Sequence, residues 1–285
     1  MTTNTIAGLE ERIGKDEYRS ENRHHTADYL QIIGVAELPA LTSPFDPGYD
    51  PLTLEGHLEQ SSHLISFLKI SMACWMVADE RATRRKIRSA REHRVRTVTG
   101  GGPFEVAVAQ RKLPEYLDLC ADIGVDRIEC GEGFTDMTLP PAQVVKMAEE
   151  RGLEVQFEIG KKHTGAFTGN GCEELIAQGR AWLEAGARQL VVEARESAQG
   201  VGLFDSAGAF NTELADRFAA AFGFDIVIFE APTKPSQFAM LNHFGSRVHL
   251  CNVRLEELLR VEIYRRGLHS DAFGHENLRP RRTAQ

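Results

Sequence analysis

The sequence predicts a (β/α)8 TIM barrel, a single α/β domain with a polar N-terminal extension, and three observations lead there. Short runs of β-branched and aromatic residues alternate with longer amphipathic stretches, the pattern of repeated βα units and a parallel sheet. Roughly eight such units fit into roughly 250 residues, which suits a closed barrel better than an open doubly wound sheet. No GxGxxG segment follows the first strand, so the main signal of a dinucleotide-binding sheet is missing.

Residues 1–28 are polar and charge-mixed and are expected to form an extension. The barrel is expected over 29–275, with a tail at 276–285. Its strands are read at "SFLKIS" (66–71), "VRTVTGG" (95–101), "DRIECG" (126–131), "LEVQFEIG" (153–160), "RQLVVEA" (188–194), "DIVIFEA" (225–231) and "RVHLCNV" (247–253), with a weaker first run near "ELPALTS" (37–43). Helices are expected at 79–93, 104–122, 140–151, 171–185, 211–222, 235–244 and 255–266. Within 171–185, Leu175, Ile176, Trp182 and Leu183 share one face at helical spacing. "ADIGVDRIEC", "EERGLEVQFE" and "LEAGARQLVVE" each pass from a helix end through a glycine into a strand, as a left-handed C-terminal stop requires.

Composition narrows the function classes. The chain of 285 residues is 42% apolar and 26% charged with a net charge of -8, which argues against nucleic acid or an anionic membrane as partner. The basic stretch 81–96 reads as the solvated face of an outer helix. Five cysteines, none spaced as CxxC, fit a reduced cytoplasmic protein without structural zinc. The first 25 residues lack the basic and apolar regions of a signal peptide, and no run of 18 apolar residues is present.

Four glutamates carry the chemical signal. Glu129 closes "DRIE", Glu158 "VQFE", Glu193 "LVVE" and Glu230 "VIFE", at spacings of 29, 35 and 37 residues, one βα unit apiece. In a parallel barrel they fall on four successive strands at the C-terminal rim, the face that carries barrel active sites. Clustered carboxylates repel unless cations sit among them, and their hard oxygens suit Mg²⁺ or a similar ion. All four are therefore candidate metal ligands. Cations lie on the same loops: Lys161, Lys162 and His163 after Glu158, Arg195 after Glu193, and Lys234 after Glu230, with Ser197 a further candidate substrate contact in the loop after Glu193. Lys69 lies on the second strand. The segment "TGGGPFE" (99–105), with Gly101 and Gly102, leads into a helix and offers backbone N–H groups to an anion. Such a rim suits an anionic, metal-chelating small molecule.

Taken together, "GGGPFE", "RIECGEG", "EIGKK", "VVEARESAQGVGLFD", "IFEAPTKPSQ", "HLCNV" and "YRRGL" resemble the phosphosulfolactate synthase family, relatives of plant heat-stress-associated proteins. The match runs over roughly residues 64 to 270 in family order. The resemblance implies a (β/α)8 barrel, Mg²⁺-dependent addition of sulfite to phosphoenolpyruvate, and a homo-oligomer. It implies metal binding by a subset of the four glutamates and a proton from Lys161 or Lys162. Anion contacts would come from Arg195, Lys234 and Lys69. The first three βα loops depart from the family pattern: "SPFDPGYDP" holds Asp46 but no lysine where the family has Asp-Lys-Gly, and Lys69 is followed by "ISMACW". Three readings follow: the sulfite reaction, the same machinery with another nucleophile or enol phosphate, and a non-enzymatic stress-related barrel.

Overall fold

A computed structural model describes residues 25–70 and 72–279. Most of the expected extension, and the tail from 280 on, lie outside the described residues. Compactness divides the chain between Glu37 and Leu38. In the first part a short helix, α1, spans Thr26–Ile32.

The second part is a closed barrel of eight parallel strands in sequence order. These are β1 Thr42–Asp46, β2 Phe67–Ile70, β3 Arg96–Thr99, β4 Arg127–Gly131, β5 Glu154–Ile159, β6 Gln189–Val192, β7 Val227–Glu230 and β8 Leu250–Arg254. Between them run α2 Pro51–Ser61, α3 Cys74–Val77, α4 Glu80–Glu92, α5 Gly101–Ala109, α6 Leu113–Ile123, α7 Pro141–Glu149, α8 Gly169–Ala185, α9 Thr212–Phe222 and α10 Lys234–Phe244, with α11 at Leu258–Arg265 after β8. The three anticipated helix stops, Gly124, Gly152 and Gly186, all have positive φ.

Three local expectations are corrected. The first strand lies at 42–46 rather than 37–43 and contains Pro44, where the register with β8 shifts; proline gives the ladder no N–H and breaks the strand signal. The stretch 104–122 is two helices, because Pro114 at the start of α6 cannot donate inside a continuous helix and Arg111 takes φ +55° at the break. Helix α2 lies outside the expected set, although Pro51 and the Asp50 carboxylate, which accepts from the amides of Leu52 and Thr53, mark its start.

Alternation along the strands decides which side chains enter the barrel. Phe157 stacks on Trp182 of α8 at 4.5 Å and Phe229 on Phe244 of α10 at 5.2 Å, so their neighbours Gln156, Glu158, Ile228 and Glu230 face inward. The interior is built in layers. Arg127 lies 4.0 Å from the centre of the Phe67 ring and bonds Glu154, Gln156 and Gln189. Val191, Ile228 and Cys251 form a small apolar cluster of their own. The glutamates lie nearer the strand ends. Buried Arg265 of α11 staples β1 to β8, donating to the carbonyls of Leu41, Ser246 and Val248 and to Thr42 Oγ1.

His249 is buried with Nε2 2.9 Å from Ser43 Oγ. Burial, then the charges of Arg265 and Arg127, push its pKa down to about 3. The unfolded chain gains a proton near pH 6.5 that the native state refuses, so stability is lost as pH falls from about 6.5 towards 3. His249→Gln is expected to remove this component. The difference in urea-unfolding free energy between wild type and variant should change with a slope of up to about 1.4 kcal/mol per pH unit below pH 6. Parallel pH profiles would contradict it.

Candidate active site

The C-terminal rim brings Glu129, Glu158, Glu193 and Glu230 together with Lys69 and Lys162, all four carboxylates being nearly inaccessible. They are not equivalent. Glu129 Oε1 accepts from Lys69 Nζ at 2.8 Å and from the Gly101 amide at 3.0 Å, and its Oε2 accepts from Gln156 Nε2 at 2.8 Å. Glu230 Oε2 accepts from the Ala194 amide at 2.8 Å, while its Oε1 takes the Asn252 amide group and lies 3.8 Å from Lys69 Nζ. Lys69 is itself spent, its third contact being Asn252 Oδ1 at 2.9 Å.

Glu158 and Glu193 are different. Lys162 Nζ lies 3.2 Å from Glu158 Oε1 and 3.3 Å from Glu193 Oε2. Those two oxygens, though buried, have no aligned hydrogen-bond donor. Burial, then the charges of Glu158 and Glu230, push Glu193 up to about 11. Burial likewise raises Glu129, to about 7, against the pull of Lys69. Burial alone would lower Lys162, but Glu158 and then Glu193 outweigh it and hold the ammonium charged.

The turn at Gly160 leads into the two adjacent lysines. Its φ is +121°, and a Cβ there would meet the Phe167 ring at 2.7 Å, so only glycine makes this turn cleanly. Lys162 turns into the cluster with a side chain 27% exposed. Lys161 turns away and pairs with Asp136 at 2.8 Å. Gly202 is as constrained: with φ +57°, a Cβ would lie 1.8 Å from the carbonyl oxygen of Glu193.

The other expected residues sit around this centre. The Arg195 amide donates to Glu193 Oε1 at 2.5 Å and its exposed guanidinium to the Lys162 carbonyl at 3.2 Å. Gly101 serves Glu129, and Gly102 approaches the Phe134 ring. His163 lines a cleft of about 220 Å³ with Glu132, Phe134, Asp136 and Lys161. Ser197 lines another of about 190 Å³ with Gln199, Thr233 and Ser236. Lys234, beside it on α10, lies over the Phe238 ring at 5.2 Å. Sequence reasoning missed Gln156, Asn252, Glu105 and the buried pair of Asp46 with Lys86 at 2.5 Å. Of these, only Asp46 stood out in the sequence, and the basic stretch 81–96, read as a solvated face, in fact buries Lys86 on the inner side of α4.

Among the described residues, no group of three or more His, Cys, Asp or Glu side chains is arranged as a metal cage. A divalent ion nonetheless fits the donor set. With all ionised, four glutamates and two lysines leave two negative charges uncompensated, and Glu158 and Glu193 keep oxygens without donors. Mg²⁺ typically takes one or two carboxylates and completes its shell from water and substrate. Glu129 and Glu230 are saturated, so the four candidate ligands narrow to Glu158 and Glu193.

Lys69→Met would leave Glu129 and Glu230 buried without their shared cation. It is expected to cost about 3–5 kcal/mol of unfolding free energy, measured by urea denaturation. Lys161→Ala breaks an exposed pair and should leave the midpoint unchanged.

Residues 39–271 match the family model described as (2R)-phospho-3-sulfolactate synthase (ComA). The phosphosulfolactate synthase of Methanocaldococcus jannaschii is 33% identical over 82% of this chain and 94% of its own length. That of Methanothermobacter thermautotrophicus is 29% identical over 84% and 93%, and that of Bacillus subtilis 29% over 80% and 90%. Among solved structures, 3-dehydroquinate dehydratase from Geobacillus kaustophilus superposes with a TM-score of 0.50 at 12% identity, covering 80% of this chain and 91% of its own. At that identity the likeness speaks for the fold alone.

Proposed function

The chain belongs to the (2R)-phospho-3-sulfolactate synthase family and is an enzyme of lyase type, and from that premise we propose that it adds sulfite to phosphoenolpyruvate. The observation that carries this reading is Lys162, a charged ammonium between two buried carboxylates and reachable from the rim. The sulfite lone pair forms a carbon–sulfur bond to the methylene carbon. The double-bond electrons move onto the adjacent carbon and its carboxylate, and Lys162 Nζ delivers a proton to that carbon. A neighbouring ammonium also stabilises the negative charge that develops there.

The phosphate fits the cleft of Ser197, Thr233 and Ser236, with Lys234 beside it and Arg195 on the rim. Glu158 and Glu193 are the residues that would hold Mg²⁺. When bound, the ion supplies electrophilic stabilisation of the substrate carboxylate. Lys69, surrounded by Glu129, Asn252 and Glu230, keeps those carboxylates in place rather than contacting substrate.

A second reading keeps this machinery and the enol phosphate but replaces sulfite with another nucleophile. It is favoured by the end of β1, where Asp46 holds the amides of Gly48 and Tyr49 and pairs with Lys86, in place of the lysine the family resemblance implies.

Incubating the protein with phosphoenolpyruvate, sulfite and MgCl₂ should yield phosphosulfolactate, followed by phosphorus NMR and mass spectrometry. Lys162→Ala should lower kcat by roughly 10²–10⁴-fold, while Lys161→Ala stays near wild type. Absence of product with phosphoenolpyruvate binding intact would remove the sulfite reading and leave the second. Equal loss in both lysine variants would contradict the role of Lys162.

A further inference from the structure

Lys162 reaches the carboxylates by passing over Gly133. A Cβ on Gly133 would lie 2.6 Å from Lys162 Cε, 3.0 Å from Lys162 Cγ and 3.0 Å from Glu105 Oε1. The lysine stem and that carboxylate oxygen are therefore neighbours across the space the glycine leaves open. Glu105, on α5, is fully buried. Its Oε2 is occupied, accepting from the amides of Phe134 and Thr135 at 2.8 and 2.9 Å and from Thr135 Oγ1 at 3.2 Å. Its Oε1 has no hydrogen-bond partner. Buried carboxylate oxygens rarely go without a donor, because the lost hydration is not replaced.

We propose that Glu105 is a positioning residue for Lys162, a second holding point that takes the ammonium when a cation occupies the Glu158–Glu193 pair. The inference rests on the reading that this pair holds a divalent ion. Lys162 and such an ion compete for the same two oxygens, Glu158 Oε1 and Glu193 Oε2. A displaced ammonium needs an anion within reach of its stem, and Glu105 Oε1 is a buried acceptor with nothing on it. The backbone of Lys162 is pinned on both sides, its amide donating to the Gly133 carbonyl at 2.7 Å and its carbonyl accepting from Arg195. The transfer thus needs only side-chain rotations. It keeps the proton donor at the rim of the cluster instead of releasing it to solvent. Glu129 and Glu230 cannot serve, since their oxygens are already taken by Lys69, Gln156, Asn252 and backbone amides.

The test is structural first. Crystals of the full chain soaked in MnCl₂, and of the Glu158→Gln/Glu193→Gln variant, should show Lys162 Nζ within about 3.5 Å of Glu105 Oε1. An ammonium that stays between positions 158 and 193 in the double variant, or points to solvent in either, overturns the proposal. Glu105→Gln provides a second measurement that does not depend on the double variant folding. Its side-chain oxygen still accepts from Phe134 and Thr135, while the other position changes from a charged acceptor to an NH2 donor that cannot receive the ammonium. A purely structural anchor would leave this variant at wild-type activity. The proposal expects kcat for phosphosulfolactate formation to fall at least about tenfold, with KM for phosphoenolpyruvate within about twofold and an unchanged melting temperature. An unchanged kcat overturns it. Should the wild type form no phosphosulfolactate, the proposed reaction fails, and the position of Nζ in the two crystals still decides for or against Glu105.

Discussion

The structure depends on how four glutamates and Lys69 can be buried together at one end of the barrel. A carboxylate moved into a low-dielectric interior loses several kcal/mol of hydration, and four of them here lie on adjacent strands, so repulsion adds to the loss. Lys69 is the main offset. Its Nζ reaches Glu129 from β4 and Glu230 from β7 while Asn252 of β8 holds both Lys69 and Glu230. One ammonium thereby ties together strands from opposite sides of the barrel. The neighbouring layers follow from this tie. Gln156 fills the remaining oxygen of Glu129, and the amides of Gly101 and Ala194 complete the set.

This tie divides the cluster into a spent half and an unspent half. Glu129 and Glu230 have given all their oxygens to the fold. Glu158 Oε1 and Glu193 Oε2 have only Lys162, at ion-pair distance without hydrogen-bond alignment, while Glu193 Oε1 takes the Arg195 amide. A proton held on Glu193 well above its ordinary range, driven by burial and then by Glu158 and Glu230, is the mark of a site short of positive charge. Perturbed carboxylates of this kind concentrate where chemistry is done. The same half of the rim is the one that solvent reaches, through the partly exposed Lys162 side chain.

Much of this was legible in the sequence because it is periodic. The barrel shows in the alternation of apolar runs, and the glutamates show because they recur one βα unit apart after apolar runs, although only Glu230 is the last residue of its strand and Glu129 lies mid-strand in β4. Register staggers Glu129, Glu158 and Glu193 by two residues from strand to strand, with Gly131 opposite Glu158 and Glu158 opposite Val191, and the inward side chains bring them together. What escaped the sequence depends on single torsions and on contacts between distant elements. Lys161 and Lys162 are chemically identical neighbours, and only the local backbone decides that one points outward to Asp136 and the other inward. Asn252 and Gln156 carry no signal of their own, because an amide becomes informative only once its carboxylate partner is opposite it. Pro44 concealed β1 by breaking the strand pattern in a segment that the barrel buries anyway.

The division of the cluster also bears on how the family's chemistry can vary. Glu158, Glu193 and Lys162 come from the strand ends and following loops of β5 and β6, away from the first three βα loops. At the end of β1, Asp46 and Lys86 neutralise each other and Asp46 also fixes the amides of Gly48 and Tyr49, so that corner offers substrate no free charge. A nucleophile entering from that side meets shape and hydrogen bonds rather than a cation. In the proposed reaction the enol phosphate would instead meet Lys162 beside Glu158 and Glu193. The neutralised corner of β1 and the unspent pair of β5 and β6 thus rest on different strands, and the tie through Lys69 holds the Glu129 and Glu230 that flank that pair.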